Sequence, residues 1–352
     1  MKNITILWWF WNWNLWDDTI LYNEINLLKD FFWKDINILV FSNNPKNIEK
    51  NFIWIKSDFL TPIAFYRFYK FLNIFYLIRF IKILKNTDLL ILWWWGFFSD
   101  KQFFAIMWWL RYIKLFKKLW SKIIWFWMWA WPFFYSINKK ILKNNEKYFD
   151  LISLRDEESL NNFLEIWFNK NKLLKFIDPA FFTKNRNQIK TNSIWFVLHS
   201  NKDFFIKEIK KVLKNTDYNI KLIITEHLDI KLNKEILSSI KNKRVELIIK
   251  NNFIDIIDEI SKLDFIVSQR LHWSIIAFTQ KVPFLNIYYH HKWKELWNFL
   301  NIEDFSINIK DIEKENIISY IENKDKFKFK NIDLEFYKKL FISNLKEKWI
   351  KK

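Results

Sequence analysis

The chain has 352 residues, with 57 Lys and Arg against 38 Asp and Glu, a net charge of +19, and no cysteine. Disulfides and thiolate metal sites are thereby excluded, a reducing compartment is favoured, and the basic balance suits anionic partners: phosphorylated substrates, an anionic membrane face or nucleic acid. One count stands out, a single Gly beside 23 Trp, where an ordinary globular protein carries roughly 7% glycine.

Along the chain, short apolar runs alternate with longer helical stretches. Strands are predicted at Ile4–Leu7, Ile36–Phe41, Leu89–Leu92, Lys122–Phe126 and Leu151–Leu154. A second series follows at Ile194–Leu198, Ile220–Ile224, Val245–Ile249, Phe265–Val267 and Phe284–Ile287. Helices are predicted at Asp18–Phe32, Asp100–Lys118, Glu157–Phe168, Asp203–Lys214 and Leu271–Gln280. Such alternation argues for parallel sheets built from βαβ units. The two series are separated by the polar stretch Lys170–Asn192, which contains Asp178-Pro179. The expected fold class is therefore α/β, with two Rossmann-like doubly wound domains, 1–177 and 178–352, whose parallel sheets face a cleft. The tail from Lys330 is expected to close the structure as a helix.

Two stretches bear on localisation. Phe65–Leu84 is strongly apolar but carries Arg67, Lys70, Arg79 and Lys82, which is unsuited to spanning a bilayer. It reads as a helix of the first domain, with a membrane-surface helix as the alternative. The first apolar run is broken by Asn12 and Asn14 and followed by Asp17 and Asp18, so no signal peptide is expected. A cytoplasmic protein follows, with contact at the inner face of the cell membrane as a further expectation.

The tryptophans cluster. Trp8, Trp9, Trp11, Trp13 and Trp16 follow the first strand; Trp93, Trp94 and Trp95 lead into the lone Gly96; Trp127, Trp129 and Trp131 follow the fourth strand. In α/β sheets the C-terminal strand ends bind ligands, and their turns use glycine so that backbone N–H groups approach phosphate. Turns filled with indoles would block such a site. One mechanism accounts for both position and count. The codon UGA is read as Gly in some bacterial lineages and as Trp in others, so most of these tryptophans are expected to stand where the native protein has glycine. The anion-binding turns would then include positions Trp11, Trp13, Trp16, Trp93, Trp94, Trp95 and Gly96.

Read with glycine, Ile4–Leu21 becomes a strand, GGFGNGNLGDD and a helix, which lacks the G-x-G-x-x-G spacing of a dinucleotide site. Asp88–Asp100 becomes a strand, four glycines, two apolar residues, Ser99 and an acid; Ile123–Phe133 becomes IIGFGMGAGPF. Later segments depend little on the substitution: SLRDEES at Ser153–Ser159, DPAF at Asp178–Phe181, and Asp264–Lys292 with R-L-H at a helix start and then Y-x-x-K. Together and in this order, over about Ile4 to Leu300, these segments resemble the polysaccharide pyruvyl transferase family. The departures are the tryptophans themselves, Trp273 after R-L-H among them, and Met128 and Ala130 in the third turn.

The resemblance implies transfer of pyruvate from phosphoenolpyruvate onto two hydroxyls of a sugar, forming a cyclic ketal, on two Rossmann-like domains arranged as in GT-B glycosyltransferases. It implies a cell-surface polysaccharide precursor, often lipid-linked, as acceptor. No cofactor, metal or nucleic acid is expected; phosphoenolpyruvate is the donor substrate. Its phosphate and carboxylate require cations, for which Arg270, Lys292 and Arg155 are the candidates. His272 suits the acid–base work of protonating the enol carbon and deprotonating hydroxyls. Asn14, Asp17 and Asp100 are candidates for the acceptor or its turn. Plainer roles stand beside these: helix pairing for Arg270, an interior histidine for His272, a solvated side chain for Lys292. Asp17 and Asp18 also fit as first-turn acids, and Arg155 and Asp156 as a surface ion pair. Competing functions are a GT-B glycosyltransferase using a nucleotide sugar, an inactive scaffold of the same fold, and, with Trp taken literally, a basic aromatic nucleic-acid binder.

Overall fold

The computed structural model describes residues 2–8, 15–32, 36–42, 44–52, 55–59, 74–93, 110, 113–114, 117–118, 122–128, 130, 133, 135–226, 229–289 and 292–350. The chain forms two compact units. The first comprises Met1–Asn12, Ile25–Asp178 and Leu334–Lys352; the second comprises Trp13–Glu24 and Pro179–Asp333. The long stretch of the first unit ends at Asp178, the C-terminal segment groups with it, and a short N-terminal piece groups with the second.

From the N-terminus the elements run β1 (Lys2–Trp8), α1 (Leu15–Phe32, whose start through Glu24 groups with the second unit), β2 (Ile36–Ser42), α2 (Pro45–Asn51), β3 (Lys56–Phe59), α3 (Ile74–Lys85), β4 (Leu89–Trp93), β5 (Lys122–Met128), α4 (Ser136–Asn144), β6 (Leu151–Leu154), α5 (Glu157–Glu165) and β7 (Leu173–Lys175), all but the start of α1 in the first unit. The sheet order is β3-β2-β1-β4-β5-β6-β7, with every pairing parallel. Side chains alternate across this sheet, as strand geometry requires. Leu90, Leu92, Ile123, Trp125, Ile152 and Leu154 form one buried cluster with Leu110, Ile113, Leu142 and Phe163 from helical segments, and Ile83 packs against it. The closing helix lies on this unit: Phe341 meets Phe126 at 5.1 Å and Phe176 at 5.2 Å between ring centroids, and Lys338 pairs with Asp30 at 2.7 Å.

The second unit continues with β8 (Ser193–Val197), α6 (Lys202–Asn215), β9 (Asn219–Ile224), α7 (Asp229–Ile240), β10 (Val245–Ile249), α8 (Phe253–Ser261), β11 (Phe265–Ser268), α9 (Leu271–Thr279), β12 (Phe284–Tyr288), α10 (Lys292–Leu300), β13 (Ser306–Asn308) and α11 (Ile317–Glu322); α12 (Leu334–Ile350) is the closing helix. Its sheet order is β10-β9-β8-β11-β12-β13, again all parallel. Central strands such as β8 and β11 are buried throughout, because helices on both faces leave no polar side.

Among the described residues, two tryptophans sit in backbone conformations that favour glycine. Trp127 has φ 51° inside β5, where the pairing with β6 shifts register between Trp125 and Met128. Trp167 has φ 60° just past α5. There the Trp167 N–H donates to the Leu164 carbonyl (2.9 Å) and the Phe168 N–H to that of Phe163 (3.2 Å). These are the paired bonds of a Schellman helix stop, whose left-handed position is usually Gly. The rings of Phe163 and Phe168 complete it at 5.2 Å.

Candidate active site

The polar cluster of the second unit is assembled at the C-terminal ends of neighbouring parallel strands. β8 leads to His199, β9 to Glu226, β11 to Arg270 and β12 to Tyr289. Arg270 caps the start of α9, and Asp229 is the first residue of α7. One guanidinium nitrogen, Nη2, donates to Glu226 Oε2 at 3.0 Å and to Asp229 Oδ1 and Oδ2 at 3.0 and 3.3 Å. The same nitrogen lies 3.0 Å from His199 Nδ1. His199 Nδ1 also lies 3.5 Å from Asp229 Oδ1. Arg270 Nε is buried with no acceptor among the described residues.

Gln269 fixes this arrangement. Fully buried, its Oε1 accepts the backbone N–H of His199 at 2.7 Å and of Ser200 at 2.9 Å. The loop after β8 is thereby tied to the loop after β11. Ser268 Oγ accepts the Arg270 N–H at 3.0 Å and donates to its carbonyl at 2.7 Å, a local turn that sets where the guanidinium emerges.

The start of α1 belongs to the same unit and brings two predicted residues to the cluster. Asp17 is buried, and its carboxyl is held well above the usual carboxylate range by burial first, then by the charges of Asp18 and Glu226. Glu226 is also raised, by burial, against the opposing pull of Arg270. Trp16 stacks on His272 with ring centroids 3.7 Å apart and planes 3° from parallel. An indole thus covers one face of the imidazole; a glycine at position 16 would leave that face open.

Other candidates belong to other elements. Arg155 follows β6 in the first unit, with Nε 3.3 Å from Asp156 Oδ2 and its guanidinium 5.3 Å from the Trp127 ring centre. Asp156 in turn caps α5 by accepting the Ser159 N–H at 2.7 Å. The remaining polar residues around this motif hold the preceding turn: Ala130 N–H donates to Ser159 Oγ at 3.1 Å, and Asn162 Nδ2 donates to the Ala130 carbonyl at 3.0 Å. Trp93 ends β4 and is buried. Lys292 is the first residue of α10; its side chain lies outside the described residues, as do Trp11, Trp13, Asn14, Trp94, Trp95, Gly96 and Asp100. Among the described residues no group of three or more His, Asp or Glu could hold a metal ion, and no helix is long and apolar enough to cross a membrane.

Sequence reasoning missed His199, Glu226, Asp229 and Gln269. The signal was present, since His199 and Glu226 each lie within two residues of the last residue of a predicted strand, where α/β ligand sites form.

Two parallel-sheet α/β domains, one carrying a polar cluster at its strand ends, define a GT-B-type enzyme fold. Solved structures agree. UDP-GlcNAc 2-epimerase from Methanocaldococcus jannaschii is 16% identical with a TM-score of 0.64, covering 94% of this chain and 95% of that one. The Neisseria meningitidis UDP-GlcNAc 2-epimerase is 13% identical with a TM-score of 0.62, covering 99% and 100%. A glycosyltransferase from Rickettsia africae is 13% identical with a TM-score of 0.57, covering 100% and 99%. At these identities the likeness is one of fold. No curated protein matches the sequence. The polysaccharide pyruvyl transferase family model matches residues 17–291. The chain belongs to that family, and is accordingly a transferase.

Proposed function

We propose that the protein transfers pyruvate from phosphoenolpyruvate to a sugar of a polysaccharide precursor, forming a cyclic ketal. The observation that carries this reading is Arg270, in the R-L-H of the matched segment, with Nη2 anchored by two carboxylates. A guanidinium already fixed in orientation is preorganised to meet a donor anion through its remaining N–H groups. Lys292 and Arg155 are proposed to supply further positive charge to the phosphate and carboxylate.

In the reaction, one sugar hydroxyl adds to C2 of the enol while C3 takes a proton and becomes a methyl group. The second hydroxyl then displaces phosphate at C2, closing the ketal, and its proton leaves with the phosphate. His272 is proposed to deliver the proton to C3, and Asp17 or Glu226 to receive a hydroxyl proton. Burial raises both carboxyls, which makes the ionised form of either a stronger base toward a hydroxyl proton. Asn14 and Asp100 are proposed for the acceptor turn, and the acceptor is proposed to be lipid-linked.

Phosphate release on mixing phosphoenolpyruvate with candidate sugar acceptors tests the proposal, using protein with glycine at the Trp positions of the three turns. Arg270→Lys should lower kcat/KM on the order of 100-fold, and His272→Asn should lower kcat by a similar factor. Turnover with a nucleotide sugar and none with phosphoenolpyruvate would instead assign a glycosyltransferase.

A further inference from the structure

Just over half of the net basic charge of this protein lies in one segment of the first unit. Residues 74–145 hold twelve Lys and Arg against two Asp, ten of the nineteen net positive charges of the chain. This segment contains α3, β4, β5, α4 and residues of helical conformation at Leu110, Ile113–Lys114 and Lys117–Lys118. The connections β3 to β4, β4 to β5 and β5 to β6 advance in one direction across the sheet order. Right-handed crossovers therefore place their helices on the same face. The packing agrees, because Ile83 of α3, Leu110, Ile113 and Leu142 of α4 join a single buried cluster. What these helices turn outward lies on one side of the unit.

That outer side combines cations with exposed apolar groups. Lys82, Lys85, Lys118 and Lys140 are exposed and form no ion pair among the described residues. Ile78 is 57% exposed, Tyr135 55% and Ile137 52%. Cations gathered on a face with few acids suit an external anion, and exposed isoleucines beside them suit an apolar phase. Nucleic acid offers only the first; an anionic bilayer surface offers both.

We propose that this face of the first unit docks on an anionic membrane surface, with Lys82, Lys85, Lys118 and Lys140 at the headgroups and Ile78 and Ile137 entering the interface. The proposal does not depend on the donor chemistry, since it is read as binding.

The test is co-sedimentation of the full chain with vesicles of phosphatidylglycerol and phosphatidylcholine in equal parts, beside pure phosphatidylcholine vesicles. Binding is expected only with the anionic lipid and should weaken with salt. Lys82→Ala/Lys85→Ala and Lys118→Ala/Lys140→Ala should each reduce partitioning on the order of 25-fold, about fivefold per lysine. Ile78→Ser/Ile137→Ser should remove the binding that survives high salt. Lys234→Ala/Lys243→Ala, exposed in the second unit, should change nothing. Equal recovery on both vesicle types overturns the proposal, as does a loss in the second-unit variant matching that in the first. Tighter binding of a single-stranded oligonucleotide through these lysines also overturns it and assigns the face to nucleic acid.

Discussion

At the scale of single residues, the tryptophans divide by what their positions demand. Trp167 is 83% exposed and sits at the left-handed stop of α5. Its side chain has little packing to lose, while a non-glycine residue in that conformation costs about 1–2 kcal/mol. Trp167→Gly is thus expected to stabilise the protein by about 1 kcal/mol, read as a shift of the urea midpoint at unchanged slope. A lower midpoint would show that the indole contributes packing. Other left-handed residues include four Asn, which tolerate the region, and Lys241 and Lys281, so conformation alone does not select glycine. Trp195 and Trp297 add a different argument: each has a buried indole Nε1 without a partner among the described residues. Buried indole N–H groups ordinarily find acceptors, and leaving one unmade costs about 1–3 kcal/mol. We propose glycine as the native residue at 167, where the left-handed helix-stop position and an exposed indole with little packing coincide. Peptide mass spectrometry of protein from its own cells checks this, and a tryptophan mass there rejects it.

At the scale of elements, α1 carries a testable electrostatic conflict. Glu24 is fully buried, and neither carboxyl oxygen has a hydrogen-bond partner among the described residues. Burial holds its carboxyl well above the usual range, so the folded state binds this proton more tightly than the unfolded chain. The stabilisation is complete at acid pH and is lost as pH rises from the ordinary carboxylate range through the raised folded value. Glu24→Gln cannot ionise. It should exceed the parent in stability at neutral pH by roughly 1–3 kcal/mol, and the gap should close below about pH 4. Urea unfolding at both pH values measures this, and a gap independent of pH would mean that ionisation is not the cause. The elements themselves were largely legible. All ten predicted strands are present, because buried parallel strands are continuous apolar runs between breaks. The three missed strands, β3, β7 and β13, are sheet edges of three or four residues with Lys, Ser, Asp or Asn. Their identity comes from a neighbouring strand, which no local pattern records.

At the scale of the whole molecule, the candidate site is legible only where a motif names its residues. R-L-H pointed to Arg270 and His272, and the N-terminal turn to Asp17. The carboxylates that clamp Arg270 come from α7 and the β9 loop, some forty residues earlier, and only the sheet order β9-β8-β11 brings them together. The stacking of Trp16 on His272 joins residues 256 positions apart. It also makes the written sequence and the proposed chemistry compete for one space, since a ring at 3.7 Å leaves no room for a substrate against that face. This sets a comparison on the intact protein. The sequence as written should fold, because its sheets and closing helix do not depend on the turns, yet it should bind phosphoenolpyruvate weakly or not at all. Placing glycine at position 16 alone should expose His272 and give partial binding. Placing it at 8, 9, 11, 13 and 16 together should give more, because those backbone N–H groups can then approach an anion. Isothermal titration with phosphoenolpyruvate across the three proteins orders the affinities. Equal binding by all three would detach both the tryptophans and His272 from the donor site, whereas the predicted order ties donor binding to the glycine reading of the first turn.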